Sequence, residues 1–358
     1  MLKKLLLLGA TGSIGSSCIR LIRDNKINVE LAALVAFRDS KEIKDLAEEF
    51  SCPYYLNTNG TEALKDFIDT IDFDICLNAI AGAEGFKASA IILKKQKDLA
   101  LANKESIVMG ASYLKALAKE NGVKIIPVDS EHSAAYSLIN KHKQDLASVV
   151  ITASGGPFLN RESLDNISVE EALNHPTWKM GNKITIDSAT LANKGLEVIE
   201  AGYLFDLSAK DIQVVIHPQS VMHAAIRLKN GAVYAQLSPP DMMLPIALSL
   251  DEEVLEDIVT PLSFDNLNLS FQKPDMEKFK MLKLAYICLE KGNSYPIAYN
   301  AANEIAVAHF LDRKIEFNKI PEIVEQVLEM DYSASAITYD EILKQDLRAR
   351  NAALSLLQ

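Results

Sequence analysis

An uninterrupted apolar run, Leu5 to Leu8, leads straight into three glycines spaced three apart, Gly9, Gly12 and Gly15. An apolar stretch this short, without alternation, reads as a strand buried on both faces. Residues 13–25 behind it read as a helix. Strand, glycine turn and helix in that order suit a dinucleotide pyrophosphate. Gly9 would allow the tight turn, Gly12 the approach of a phosphate to the backbone, and Gly15 close helix–strand packing, with the helix N-terminus turned toward the anion. The spacing departs from G-x-G-x-x-G, so a tight turn without a ligand stays open as the alternative.

The region after this loop keeps alternating. Residues 29–37, 73–80 and 123–130 contain apolar runs, and helical patterns separate them, the first opened by a Ser cap at residue 40. Strands and helices in turn predict a doubly wound parallel sheet. The second strand ends in Phe37-Arg38-Asp39. Arg38 is placed to meet a 2′-phosphate, whereas Asp39 would accept from a ribose hydroxyl; an arginine at the strand end favours NADP.

Extended patterns return at 148–154, 214–219, 222–229 and 232–238, the last two joined by the hairpin dipeptide Asn230-Gly231. A helix is expected over 191–205, a connector over 260–275, and helices from Met276 to the end. The expected class is therefore α/β with an all-α C-terminal part. The ranges are a Rossmann-like domain at 1–128, a central α/β domain at 129–255, a linker at 256–275 and a helical bundle at 276–358.

The chain carries 48 acidic against 37 basic residues, a formal net charge of −11. That balance argues against nucleic acid or an anionic membrane as the partner, while leaving room for a small anionic ligand at a local site. Cys18, Cys52, Cys76 and Cys288 are scattered and form no C-x-x-C pair, as expected of reduced thiols in the cytoplasm. The N-terminal apolar run is too short for a secretory core and ends in glycines. No run approaches the ~18 apolar residues of a membrane-spanning helix.

Chemistry-bearing residues gather in three stretches. Asp129 and Glu131 follow an apolar run at i and i+2; in extended geometry both would point the same way and repel unless a proton or hard cation intervenes. Asn193, Lys194 and Glu197 fall on one face of the 191–205 helix, placing an amide, an ammonium and a carboxylate together. Ser154-Gly155-Gly156 ends a strand with the makings of an anion nest. The bland alternatives are a solvated strand end, an exposed Lys–Glu pair and a plain Gly-Gly turn. Residues 174–183, with His175, Trp178 and Gly181, read as a mobile lid or as a loop around a buried tryptophan. His132, His142, His217, His223 and His309 read as structural or surface groups.

Taken together, GATGSIG (9–15), LANKES (101–106), PVDSEHSA (127–134), SGGPF (154–158), HPTWKMGNKITIDSATLANKGLE (175–197), IHPQSVMHAAI (216–226), SPPDM (238–242) and NAANEIAVAHF (300–310) resemble the 1-deoxy-D-xylulose 5-phosphate reductoisomerase family in order and spacing. The resemblance implies an NADPH-binding domain, a catalytic domain that also forms a homodimer, and a C-terminal helical bundle. It implies that Asp129, Glu131 and Glu197 bind one Mg2+ or Mn2+. Lys104, Ser130 and Glu131 would contact the reacting end of the sugar, and Ser154, His175, Ser188, Asn193 and Lys194 its phosphate end. Thr11, Gly12, Ser13, Ile14, Asn103, Glu105 and Gly181 would line the cofactor, and Trp178 would close over the substrate. The implied reaction rearranges 1-deoxy-D-xylulose 5-phosphate to a branched aldehyde, which NADPH reduces to 2-C-methyl-D-erythritol 4-phosphate. Members of the family usually have glycine before the basic residue at the second strand end and asparagine after it; here Phe37 and Asp39 stand there. Two rival readings are another NAD(P)-dependent dehydrogenase, which would turn over in chelator, and a nucleotide-binding regulator, which would tolerate loss of the carboxylates.

Overall fold

The computed structural model describes residues 2–58, 60–178, 180–251 and 256–358. In chain order the elements are β1 (Lys3–Leu8), α1 (Ser13–Arg23), β2 (Val29–Ala36), α2 (Lys41–Glu49), β3 (Tyr54–Leu56), α3 (Gly60–Asp69), β4 (Ile75–Asn78), α4 (Glu84–Lys94), β5 (Asp98–Leu101), α5 (Lys104–Asn121), β6 (Ile125–Pro127), α6 (Ser130–His142) and β7 (Leu146–Ala153). There follow α7 (Val169–Leu173), α8 (Asn182–Ala189), α9 (Ala192–Leu204), β8 (Ile212–Ile216), β9 (Met222–Leu228), β10 (Val233–Leu237), α10 (Met243–Leu250), α11 (Lys280–Lys291), α12 (Tyr295–Leu311), α13 (Lys319–Leu328) and α14 (Tyr339–Ser355). The chain divides into two compact units: Met1–Ser106 with Ser112–Ser133 and Asp241–Pro261, and Ile107–Ala111 with Ala134–Pro240 and Leu262–Gln358. The boundary expected at residue 255 lies among Glu252–Leu255, outside the described residues.

The first unit is built on a six-stranded parallel sheet in the order β3-β2-β1-β4-β5-β6. This is the dinucleotide-binding order, with the direction of winding reversing between β1 and β4. Leu5, Leu6, Leu7 and Leu8 are fully buried, as a strand covered on both faces requires. Ser40 caps α2 by accepting from Ile43 N. Two helices of this unit escaped the sequence reading, α3 and α10. Met243, Ile246, Ala247 and Leu250 of α10 join the core that holds Leu5, Leu7, Cys18 and Ile19. Asp251 at its end accepts from Asn28 N at 2.9 Å.

The second unit has a four-stranded mixed sheet, β10-β9-β7-β8, in which β7 and β8 run parallel and the other pairs antiparallel. Its faces alternate along β7 and β8 and along β9 from Ala224 onward, and a register shift opposite Gln236 and Leu237 turns Met222 to the other face. Ile151, Val214, Ile216, Ala224 and Ile226 point into a core completed by α9 and α11, while Val150, Ala225 and Met222 form a small cluster on the other face. The hairpin turns where expected, with Gly231 in the left-handed region and its N–H donating to Leu228 O at 2.9 Å. Residues 262–275 are irregular, as expected of a connector, and are pinned by His217, whose Nδ1 bonds Ser270 O at 2.9 Å. The C-terminal helices α11–α14 are those read from the sequence. They enclose the largest core, and α9 packs against α11 and α12 through Gly195 and Gly202.

Candidate active site

In the first unit, Gly9 has φ +85, and a Cβ there would sit 2.6 Å from Ala79 O. A Cβ on Gly15 would sit 2.4 Å from the carbonyls of Gly9 and Ala10. The loop is tied to the second strand by Gly9 N and Ala10 N, both donating to Val35 O. At Gly12 a Cβ would meet only Gly9 O, at 3.3 Å, so this side of the turn is open. Gly12 caps α1 with no side-chain hydrogen bond, and Gly12 and Ser13 are exposed, with Thr11 and Ile14 partly so. A cradle that is open at the middle glycine and backed by a helix N-terminus fits a pyrophosphate. Arg38 is exposed at the end of β2, and Asp39 beside it is paired with Lys44 at 2.8 Å.

The carboxylates of this unit correct one expectation. Asp129 and Glu131 are not on an extended segment. Asp129 O accepts from Ser133 N at 2.8 Å, so the helix α6 starts at once and Glu131 falls in its first turn. The run Ser-Glu-His-Ser-Ala-Ala lacks the β-branched residues that would have prolonged the strand. Asp129 is held from two sides. Lys104 Nζ lies 2.7 Å from Oδ2, and His132 Nδ1 donates to Oδ1 at 3.2 Å. His132 is fully buried and orients this carboxylate, a role that the i, i+3 spacing on a helix reveals only once the helix is known. Ser130 Oγ donates to Glu131 Oε2 at 2.6 Å. Asn103 caps α5, accepting from Ser106 N at 3.0 Å and donating to Glu105 Oε2 at 2.8 Å.

In the second unit three residues far apart in sequence meet. His175 Nε2 lies 3.3 Å from Ser154 Oγ and 3.0 Å from Ser188 Oγ. Gly155 and Gly156 both have positive φ, and Gly156 N donates to Ser154 Oγ at 3.3 Å. Burial lowers the His175 pKa below the ordinary imidazole value. Its Nδ1 accepts from two backbone donors, Thr177 N at 3.1 Å and Trp178 N at 2.9 Å. The neutral ring therefore carries its proton on Nε2, among the serine hydroxyls. Three hydroxyl and N–H donors around one point suit an anion. Of the expected lid, Lys179 lies outside the described residues, Trp178 is half-buried, and Gly181 is exposed as the cap of α8.

Leu191, in the left-handed region, makes the tight joint between α8 and α9. Beyond it Asn193 Nδ2 donates to Glu197 Oε1 at 2.5 Å, and Lys194 Nζ donates to Oε2. Lys194 and Glu197 are 3% and 1% exposed, which discards the ordinary exposed pair. A carboxylate kept in so dry a place needs compensating charge and donors, and Lys194 and Asn193 supply them.

Family models described as 1-deoxy-D-xylulose 5-phosphate reductoisomerase, its C-terminal domain, and the DXP reductoisomerase C-terminal domain match residues 5–59 with 55–111, 125–205 and 237–352. The 1-deoxy-D-xylulose 5-phosphate reductoisomerase of Treponema denticola is 43% identical over 368 residues, covering 99% of this chain and 97% of its own. The chain belongs to the 1-deoxy-D-xylulose 5-phosphate reductoisomerase family. The reductoisomerase of Clostridium perfringens is 41% identical, with 98% of each chain covered. Among solved reductoisomerases, one in complex with NADPH, fosmidomycin and magnesium superposes with a TM-score of 0.90 at 36% identity, over 99% of this chain and 98% of that one. The enzyme from Zymomonas mobilis in complex with NADPH gives 0.89 at 34% identity, over all of both chains. No helix among the described residues is long and apolar enough to cross a membrane.

Proposed function

We propose a division of labour among these residues for the reaction of the family. As a member of it, the protein converts 1-deoxy-D-xylulose 5-phosphate to 2-C-methyl-D-erythritol 4-phosphate, an oxidoreductase using NADPH and a divalent metal ion. NADPH supplies the hydride, and the divalent cation supplies Lewis acidity at the substrate oxygens. The observation that carries the reading is the likeness, across 99% of the chain, to a reductoisomerase solved with NADPH and magnesium.

Asp129, Glu131 and Glu197 would hold the cation, each offering one carboxylate oxygen, the donor type that Mg2+ and Mn2+ prefer. Lys104 and His132 hold Asp129 in place, and Asn193 and Lys194 hold Glu197. Ser130, Lys104 and Glu131 would orient the reacting end of the sugar. Ser154, His175, Ser188, Asn193 and Lys194 would bind its phosphate end, with His175 donating from Nε2. Thr11, Gly12, Ser13 and Ile14 would cradle the pyrophosphate, Arg38 would meet the 2′-phosphate, and Asn103, Glu105 and Gly181 would line the rest of the cofactor. Trp178 would close over the substrate and exclude water, which protects the branched aldehyde.

The domain reading proposed from the sequence is a cofactor domain at 1–128, a catalytic and dimerisation domain at 129–255, a linker at 256–275 and a helical domain at 276–358, although residues 241–261 pack with the first unit. The protein would work as a homodimer in the cytoplasm. Dimerisation is supported by exposed Val233 and Tyr234 on β10, the edge strand of the second sheet. The cytoplasm is supported by four buried free cysteines.

The test follows NADPH absorbance with 1-deoxy-D-xylulose 5-phosphate, with and without EDTA. Oxidation that stops in chelator and returns with Mg2+ or Mn2+ is expected; turnover undiminished in EDTA would overturn the metal assignment.

A further inference from the structure

Ser188 sits in the last turn of α8, and the residue before it, Asp187, points the other way. Asp187 is fully buried. Its Oδ1 accepts from Asn303 Nδ2 of α12 at 2.8 Å, and Lys183 Nζ, one helical turn back, lies 2.9 Å from Oδ2. Asn303 is fully buried as well, in a helix whose neighbouring residues Tyr299, Ala302 and Ala306 belong to the core beneath. Nothing in the established chemistry calls for a charge here. A fully buried carboxylate bonded to an amide 116 positions away is costly unless its place matters.

We propose that Asn303, from the C-terminal helices, is a positioning residue for the phosphate end of the substrate site, acting through Asp187 on Ser188. Ile186 and Ala189 of α8 are fully buried in the core shared with α12, and the Asp187–Asn303 bond adds a directional tie to that packing. Gly181 caps α8 without a side-chain bond. At its far end the tight joint at Leu191 leads directly into Asn193 and Lys194. A rotation of α8 that released Asp187 would carry Ser188 Oγ away from His175 Nε2. It would also strain the close approach of Gly156 to the Ser188 carbonyl, where a Cβ would already lie at 2.7 Å. The amide of Asn303 thus fixes the rotational setting of the helix that presents Ser188. Asp187 accepts and Asn303 donates, so exchanging the two residues should preserve the bond in reverse.

The inference rests on the reading of Ser154, His175 and Ser188 as the phosphate end, and the experiment separates the two. Steady-state kinetics with saturating NADPH and Mg2+ would be run on wild type, Ser188→Ala, Asn303→Ala and the exchange Asp187→Asn with Asn303→Asp. Competitive inhibition by inorganic phosphate and NADPH affinity by fluorescence would be measured alongside. Asn303→Ala is expected to raise KM for the sugar phosphate and Ki for phosphate in parallel, each about tenfold, as the loss of one charge-assisted hydrogen bond would. Its kcat should change less than about twofold and its NADPH affinity not at all, and the exchange should restore both constants to within about threefold of wild type. If Ser188→Ala raises KM while Asn303→Ala does not, the positioning role is wrong. An exchange variant that folds yet stays as impaired as Asn303→Ala overturns it too, and serves where Asn303→Ala itself fails to fold. If Ser188→Ala leaves KM and Ki unchanged, the phosphate-end reading is what fails.

Discussion

The backbone N–H of Trp178 donates to His175 Nδ1 at 2.9 Å, with Thr177 N donating to the same atom. A second proton on this ring would have to enter at Nδ1, directly against both donors. Burial alone already lowers the His175 pKa from the ordinary 6.5. The folded chain therefore resists a proton that the unfolded chain accepts. The stabilisation is fully present above the unfolded value near 6.5 and is lost as pH falls through the lower, folded value. Melting temperature should thus fall more steeply between neutral and mildly acidic pH in wild type than in His175→Asn, whose amide oxygen can still accept from Thr177 and Trp178 but cannot titrate. Parallel melting curves across that range would contradict the assignment.

Glu197 receives a hydrogen bond on each oxygen from its own helix, so the carboxylate is fixed before any cation arrives. Glu197→Gln keeps the shape and removes the charge. It should cost roughly a thousandfold in kcat/KM, corresponding to several kcal/mol of lost transition-state stabilisation. Binding of Mn2+, followed by electron paramagnetic resonance, should weaken in step, while NADPH affinity stays within about twofold of wild type. Turnover retained at the wild-type level would remove Glu197 from the ligand set.

What could be read from residues alone was whatever depends on local pattern. Leu5–Leu8 with three glycines gave the buried strand and its turn, and the i, i+4 spacing of Asn193 and Glu197 gave a real hydrogen bond. The reading went wrong at Asp129 and Glu131, where the strand ends at Pro127 and a helix begins at Ser130. Period-2 reasoning was carried past the point at which Ser133 N turned back to Asp129 O. It also passed over α10, because Met-Leu-Pro-Ile-Ala-Leu-Ser-Leu is apolar almost all round and shows no face. Asn303 and Asp187 were out of reach for another reason. Each is an ordinary polar residue in its own helix, and only the packing of α12 beside α8 brings them together.

On the proposed placing of the cofactor, Asp39 would face the adenosine ribose, yet its charge is shared with Lys44 at 2.8 Å. Both side chains are about half-exposed, so the pair offsets the charge without abolishing it. NADPH should still be preferred over NADH because Arg38 remains. Asp39→Asn should widen the preference about threefold to tenfold, as removing one charge near a phosphate predicts, and Lys44→Ala should narrow it. The ratio of kcat/KM for the two cofactors decides the matter; a wild-type preference for NADH, or a ratio that falls in Asp39→Asn, would refute the assignment.

Helix α9 owes its position to two glycines that face different neighbours. A Cβ on Gly195 would lie 2.5 Å from the Tyr299 hydroxyl and 2.8 Å from Ala285 Cβ, with Met281 O at 3.2 Å. Tyr299 is fully buried and donates to Met281 O at 3.1 Å, so it has nowhere to retreat. A Cβ on Gly202 would meet the terminal methyls of Leu289 at 2.6 and 2.8 Å, and those can turn aside. Gly195→Ala should therefore destabilise by about 1–3 kcal/mol, the usual cost of overpacking a tight core, seen as a lowered melting temperature. Gly202→Ala should cost less than half as much. Because Asn193, Lys194 and Glu197 ride on the same helix, Gly195→Ala should also raise KM, whereas Gly202→Ala, nearly two turns further on, should leave it close to wild type. A Gly202→Ala variant as damaged as Gly195→Ala in both melting and KM would mean that Leu289, and not the Tyr299 hydroxyl, sets where α9 lies.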